Sequence, residues 1–163
     1  DGVEILLSAD TGIKLWDKLL ESGVTPCGLG CRDTLRLEAG MHLYGSEMDT
    51  TTTPYEASLG WIVNSTKEYI GKTILDNQKK NGIDKKLVAL KLTKRNIARH
   101  DYPIMNEDIV IGKVTSGTWS PSLSVPIALA YVPTELSKVG SVVNVKIRGK
   151  LEAATVVKKP FYC

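Results

Sequence analysis

Phenylalanine is nearly missing from this 163-residue chain, which has one, together with three tryptophans, six tyrosines and two histidines. Its basic residues are dispersed in short pairs such as Lys85-Lys86, Lys94-Arg95 and Lys158-Lys159, with few aromatic rings to stack between them. A net charge of +3 is too weak, in that arrangement, to predict a nucleic-acid partner. The two histidines, His42 and His100, have no Cys, His or carboxylate neighbours at metal-ligand spacing, so no metal site is expected. Cysteines are scarce and odd in number: Cys27, Cys31 and Cys163. The Cys27–Cys31 spacing fits neither a zinc site nor a thioredoxin motif, which predicts reduced thiols in a reducing compartment. Nor does any serine stand in a nucleophile motif. No apolar run approaches the roughly 20 residues of a membrane helix. The start Asp1-Gly2-Val3-Glu4 has neither the basic segment nor the apolar core of a signal peptide.

What the chain does have is the balance of a globular protein, 42% hydrophobic and 24% charged, enough for one sizeable domain or two small ones. Val3 to Leu7 reads as a strand. Ser8 or Asp10 can cap a helix that runs to Ser22, with Ile13, Trp16, Leu19 and Leu20 on one face and Gly23 in the left-handed position after it. That stripe places Trp16 in a core. A second helix is expected near 31 to 41, then a loop, a strand at 59 to 63 and a helix within Tyr69 to Lys80 that ends at Asn81-Gly82.

Beyond a boundary placed between about 77 and 86, the apolar period becomes two. Val88, Leu90 and Leu92 alternate with other residues, as do Val143, Val145 and Ile147, and strands also fit 109 to 114, 127 to 132 and 153 to 158. Short strands between Gly and Pro turns predict a small antiparallel barrel, so the fold class is α+β.

The stretch Gly28-Leu29-Gly30-Cys31-Arg32-Asp33 puts an arginine where helix electrostatics disfavour one. Exposed N–H groups give a helix N-terminus about half a positive charge, which repels Arg32 unless an anion or a carboxylate answers it. A dinucleotide fingerprint fails here, because Asp33 occupies the place of its third glycine and would repel a pyrophosphate. Asp33 can instead reach Arg36 at i,i+3, so spacing alone describes a surface helix with one local ion pair. Asp33 and Glu38 read as dipole and ion-pair support rather than as catalytic carboxylates.

Continued through Met41-His42-Leu43-Tyr44-Gly45-Ser46-Glu47-Met48-Asp49, this stretch resembles the signature of the glycine cleavage T-protein (aminomethyltransferase) family. Further matching motifs follow in the family's order: Thr53-Pro54-Tyr55-Glu56, Leu59-Gly60-Trp61-Ile62-Val63, Tyr69-Ile70-Gly71-Lys72, Lys86-Leu87-Val88-Ala89-Leu90, Thr115-Ser116-Gly117-Thr118-Trp119-Ser120-Pro121, Ile127-Ala128-Leu129-Ala130-Tyr131-Val132-Pro133 and Lys158-Lys159-Pro160-Phe161-Tyr162. Asp1-Gly2-Val3-Glu4-Ile5 resembles the continuation of the family's Gly-Tyr-Thr-Gly-Glu-Asp-Gly motif. The resemblance therefore implies roughly the C-terminal half of a T-protein: residues 1–80 as the end of the α/β folate-binding region, and 86–163 as the C-terminal barrel.

The family's reaction passes an aminomethyl carbon from the lipoyl arm of H-protein to tetrahydrofolate and releases ammonia. It needs no change in the carbon's oxidation level, only orientation of the folate nitrogen, exclusion of water and stabilisation of developing positive charge. The resemblance makes tetrahydrofolate the cosubstrate and lipoyl H-protein the partner. It implies a cytoplasmic location in a bacterium and a mitochondrial one in a eukaryote. The family's catalytic aspartate and pterin-contacting glutamate fall outside this sequence, so no catalytic residue is expected within it, and the chain alone is expected to be inactive. Arg32 matches the family's folate-contacting arginine, with a guanidinium suited to paired hydrogen bonds. Tyr44 and Trp61 either line the folate cavity or belong to a core. Cys31, where the family often has alanine, reads as a small buried residue. Thr115 to Pro121 reads as a structured turn, with ligand contact as the alternative, and Ser122-Leu123-Ser124 departs from the family's usual Thr-Leu-Gly. Competing readings are a tetrahydrofolate-binding region of a dimethylglycine or sarcosine dehydrogenase, an iron–sulfur assembly paralogue, and a non-catalytic barrel module that docks RNA or protein.

Overall fold

A computed structural model describes residues 2–162. The chain divides into two compact units, residues 1–32 and 33–163.

In the first unit, helix α1 (Ala9–Glu21) begins at Ser8, whose hydroxyl donates to Thr11 Oγ1 at 2.9 Å rather than capping a main-chain N–H. It ends as expected: Gly23 has φ +82°, its N–H bonds Leu20 O, and Val24 N–H reaches back to Leu19 O. This pair of bonds satisfies the last carbonyls of the helix. The apolar stripe is present but uncovered, with Ile13, Leu19 and Leu20 exposed and Trp16 53% exposed. Trp16 is therefore not a core residue. One 13-residue helix has nothing of its own to bury a stripe against. Val3 to Leu7 forms no strand and is also exposed, because a strand needs a neighbour to complete its ladder.

Helix α2 (Leu29–Glu38) starts two residues earlier than its sequence suggests and crosses from one unit into the other. It closes on Gly40, φ +70°, with Gly40 N–H on Leu37 O and Met41 N–H on Arg36 O. A Cβ on Gly40 would meet the Lys159 side chain at 3.3 Å, so the position favours glycine on two counts.

The segment 49–63 is a chain of turns. Expected as a strand, 59–63 instead holds a 3-10 turn, Gly60–Ile62. The cause lies just upstream, where Thr53 and Glu56 bond reciprocally: Glu56 Oε2 accepts from Thr53 N–H and Oγ1, both at 2.9 Å, and Thr53 Oγ1 accepts from Glu56 N–H. With Pro54 between them this is a capping box around a single turn, and it sends the chain back on itself. Helix α3 (Lys72–Asn81) follows and stops at Gly82, φ +89°.

Six antiparallel strands then close into a barrel in the order β1-β4-β3-β2-β5-β6. They are β1 (Lys85–Leu92), β2 (Pro103–Asn106), β3 (Ile109–Ser120), β4 (Val125–Pro133), β5 (Val142–Ile147) and β6 (Lys150–Val157). Five of them lie where the alternation predicts. Strand β2 was not expected, since its four residues begin with proline and are framed by turns at Asp101 and Glu107, both with positive φ.

Val88, Leu90, Leu92, Val114, Ala128, Ala130, Val143, Val145 and Val156 fill the interior. Strands β1 and β4 are buried on their other face too, where Leu87, Ala89, Ile127, Leu129 and Tyr131 pack with Leu37 of α2. Hence the near-continuous burial of 126–132, which is the signature of a strand covered on both sides.

Candidate functional site

The two arginines of α2 stand one turn apart and have opposite fates. Arg32 is the helix's fourth residue. Its N–H bonds Gly28 O at 3.2 Å, while its exposed guanidinium makes no hydrogen bond or ion pair among the described residues. A whole fork of donors is thus left free at the electropositive end of a helix.

Arg36, by contrast, is saturated and its side chain is only 13% exposed. Nε and Nη2 both donate to Asp33 Oδ1 at 2.8 and 2.6 Å, Nη2 also to Ser116 Oγ at 2.8 Å, and Nη1 to Glu47 Oε2 at 2.7 Å. Glu47 is fully buried. The same Oε2 accepts the N–H of Leu43 at 2.9 Å, and the Glu47 main-chain oxygen accepts the Tyr131 hydroxyl at 2.7 Å. Burial pushes the Tyr131 phenol up to about 12, which keeps it a donor throughout the ordinary pH range.

Glu38 completes the arrangement, though not as expected. The sequence pattern predicts dipole and ion-pair support, yet Glu38 is buried, faces no cation at ion-pair distance among the described residues, and takes hydrogen bonds from Ser120 Oγ, Ser122 N–H and Ser122 Oγ. An acidic side chain in a helix's last turn opposes the dipole, and that mismatch is the sequence signal that donors lie elsewhere. Thr34 Oγ1 also meets Thr118 Oγ1 at 3.3 Å.

These contacts give the Thr115–Pro121 motif its role. It is not a turn: Thr115–Ser120 is the second half of β3, paired to β4, and the turn lies beyond it. The register slips at Thr115, whose main-chain O lies 2.6 Å from His100 Nδ1. Such a bulge re-aims the side chains that follow, and here Ser116, Thr118 and Ser120 all meet residues of α2. Gly117 must be glycine, because a Cβ there would overlap the Ala98 carbonyl oxygen. Trp119 lies under the Arg95 guanidinium, 5.0 Å from its ring centre.

Neither Tyr44 nor Trp61 is a core residue. Tyr44, 67% exposed, borders a cavity of about 140 Å³ with Met48, Asp49, Thr52 and Pro54. Trp61 is 82% exposed in the 3-10 turn. Sharing Thr52, Thr53, Pro54 and Ile62 with that cavity is a larger one of about 620 Å³, which continues along Val63, Tyr69, Ile74 and Leu75. Its size suits a small organic ligand. His42 Nε2 lies 2.7 Å from Ala57 O, and burial lowers its pKa below the usual 6.5 despite that contact. No cluster of three or more His, Cys, Asp or Glu side chains suited to a metal ion occurs among the described residues. Cys31 is exposed, which corrects its reading as a buried residue.

Comparison with known proteins decides the family. The glycine cleavage T-protein C-terminal barrel domain matches residues 85–162, and the GCVT N-terminal domain matches residues 1–67. The chain belongs to the glycine cleavage T-protein family. It is 58% identical to an aminomethyltransferase of Synechococcus sp. (strain CC9311), over 99% of this chain and 44% of that protein. An aminomethyltransferase of Nostoc sp. (strain PCC 7120) is 54% identical with the same coverage. The crystal structure of glycine cleavage system aminomethyltransferase T from Bartonella henselae superposes with a TM-score of 0.85 at 33% identity, covering 93% of this chain and 44% of that one. The chain thus spans less than half the length of the relatives it matches.

Proposed function

We propose that this chain is the tetrahydrofolate-contacting and barrel-bearing part of an aminomethyltransferase. Its parent reaction moves an aminomethyl carbon from lipoyl H-protein to tetrahydrofolate and releases ammonia. The observation that carries the reading is the contrast within α2: the helix's packing and side-chain hydrogen bonds fall on Asp33, Thr34, Arg36, Leu37 and Glu38, which leaves Arg32 with no partner among the described residues and a full set of charged donors. A cation kept free at a helix start is well placed for a carboxylate or for the polarised ring atoms of a pterin. Tyr44 and Trp61 present exposed rings of the kind that stack on or flank a planar ligand.

Within this reading the chain orients folate and supplies no acid or base. The reading places that work in the cytoplasm of a bacterium or the mitochondrion of a eukaryote; no helix among the described residues is long and apolar enough to cross a membrane. The 1–80 part serves folate, although residues 33–80 fold in one compact unit with the 86–163 barrel rather than apart from it. The 163-residue chain alone has no aminomethyl transfer activity, since a positive Arg32 cannot replace a carboxylate that stabilises developing positive charge.

Tetrahydrofolate binding by the purified chain, measured by titration calorimetry beside the Arg32→Ala and Arg32→Lys variants, tests the assignment. Weaker binding for both variants supports it, and more so for alanine. Equal affinity for all three at an unchanged fold returns Arg32 to an ordinary surface residue. Turnover of aminomethylated H-protein by the 163-residue chain would overturn the claim of inactivity.

A further inference from the structure

Strand β3 pairs with β4 in one register up to Val114↔Ala130 and in another from Ser116↔Leu129 onward, so Thr115 is an extra residue in the ladder. A slip of one residue exchanges the two faces of a strand. Continued without it, the first register would set Ser116 opposite Ala128 and turn its hydroxyl into the barrel interior, where Ala128 and Ala130 lie. With it, Ser116, Thr118 and Ser120 stand opposite Leu129, Ile127 and Val125, on the outer face that Leu37 of α2 covers. The bulge is itself pinned: Thr115 Oγ1 donates to Leu129 O at 3.1 Å, Thr115 O accepts from His100 Nδ1 at 2.6 Å, and Asp101 N–H reaches Val114 O at 2.9 Å. Three hydroxyls therefore meet α2. Ser116 Oγ accepts from Arg36 Nη2 at 2.8 Å, Thr118 Oγ1 lies 3.3 Å from Thr34 Oγ1, and Ser120 Oγ donates to Glu38 Oε1.

We propose, resting on the folate assignment of Arg32, that the Thr115 bulge makes Thr118 and Ser116 positioning residues, which fix the turn of α2 about its own axis and so the presentation of Arg32. Apolar contact at Leu37 is non-directional and lets a helix slide or roll on a sheet. Hydrogen bonds at positions 34, 36 and 38 do not, because each needs one donor and one acceptor at a set distance and angle. Thr34 is the tied residue nearest to Arg32, two positions further along the same helix. Neither Thr118 nor Ser116 touches the ligand. Each acts through the helix, since a guanidinium whose backbone is already held gives up less freedom when it binds.

The test measures tetrahydrofolate affinity of the full 163-residue chain by titration calorimetry, for the parent, Thr118→Val, Arg32→Ala and the double variant. Valine keeps the branched shape and strand preference of threonine and removes the hydroxyl. Thr118→Val should bind about three- to tenfold more weakly, the equivalent of one hydrogen bond. Thr118→Ser should bind as the parent does, and Thr118→Val should make no further difference once Arg32→Ala is present. Amide exchange without ligand reads the same restraint independently: residues 32–36 should exchange faster in Thr118→Val while β3 and β4 keep their protection. Circular dichroism checks the fold, and Ser116→Ala takes the place of Thr118→Val in the cycle if that variant does not fold. A folded Thr118→Val chain with the parent's affinity, beside a weakened Arg32→Ala, overturns the positioning role and leaves the folate assignment standing. A loss of equal size with and without Arg32→Ala overturns it too, since the hydroxyl would then act on the fold at large. If Arg32→Ala binds as tightly as the parent, the folate assignment itself fails and this role fails with it.

Discussion

Residues 2–32 and the barrel of 85–157 are both rich in apolar side chains, and they use them in opposite ways. The barrel encloses its own. Its six strands leave Leu90, Ile104, Val114, Val132 and Val145 with no exposed surface, and β1 and β4 bury a second face against α2. Residues 2–32 enclose none: α1 has no buried residue, and Val3, Leu6, Ile13 and Trp16 are open to solvent. A periodic stripe in a sequence tells which face of an element is apolar. It does not tell what covers that face, because the cover comes from residues elsewhere.

The largest expected effect is in amide hydrogen exchange. Protection arises where main-chain bonds can break only with the whole structure, and it falls towards zero in elements with few buried contacts. Slow exchange should concentrate in 87–92, 109–120, 127–132 and 143–147, while 9–21 exchanges faster by orders of magnitude. Protection that peaks within residues 2–32 while the strands exchange freely would break the contrast.

Next in size is the removal of the Arg36 cation that faces Glu47. Arg36→Ala strands the fully buried Glu47 carboxylate, and losing one partner of a buried pair costs about 3 to 5 kcal/mol. Urea denaturation should show that loss. Pairing Arg36→Met with Glu47→Leu should recover a large part of it, since the uncompensated charge goes as well. A loss of under about 1 kcal/mol for Arg36→Ala, typical of an exposed pair, would mean that Asp33 and solvent carry the interaction instead. Arg32→Ala should leave stability nearly unchanged, and in a complete enzyme should weaken folate binding by about 1.5 to 3 kcal/mol, the range for hydrogen bonds to charged groups. One helix would then hold a structural arginine and a ligand arginine, and the two measurements separate them cleanly. If Arg32→Ala unfolds the protein, that division of labour fails.

The legibility of this fold follows the same contrast. Strands β1, β4, β5 and β6 announce themselves because the barrel's inward positions recur every second residue. Strand β2 is too short to show a period, and the second half of β3 hides because the small polar residues of Thr115 to Pro121 have the composition of a turn. Its small polar residues are there to meet Arg36, Glu38 and Thr34 across 80 or more positions, a pairing with no local trace. The capping box at Thr53-Pro54-Tyr55-Glu56 shows itself only in the structure and explains why the strand expected at 59–63 does not form. For the site, the awkward placement of Arg32 could be read directly. The matching oddity of Glu38, an acid at the wrong end of the same helix, carried equal information and points to the serine donors.

The smallest expected effect is on pH dependence, and it sharpens the account of the second unit. Burial lowers the His42 pKa below 6.5, with the charges of Lys159 and Arg36 adding to it and the Ala57 carbonyl and Glu47 opposing. For Glu38, burial pushes the pKa up, but the hydrogen bonds from Ser120 and Ser122 outweigh it and hold the carboxyl below the usual 4.5. In both cases the unfolded chain takes up a proton more readily than the folded one, so stability falls as pH falls. The windows differ. His42 begins to act as pH drops through about 6.5, the value of the unfolded chain, and its contribution levels off below its folded value. Glu38 acts from about 4.5 downward and is lost through its folded value. Urea midpoints measured across pH 7.5 to 3.5, a range of about four units that spans both windows, should therefore decline in two steps. His42→Gln, whose amide can still donate to Ala57 O, should abolish the upper step and spare the lower. Ser122→Ala should shrink the lower step and spare the upper. A single decline that neither substitution alters would show that other carboxylates govern acid unfolding, and that neither His42 nor Glu38 sets a step of its own.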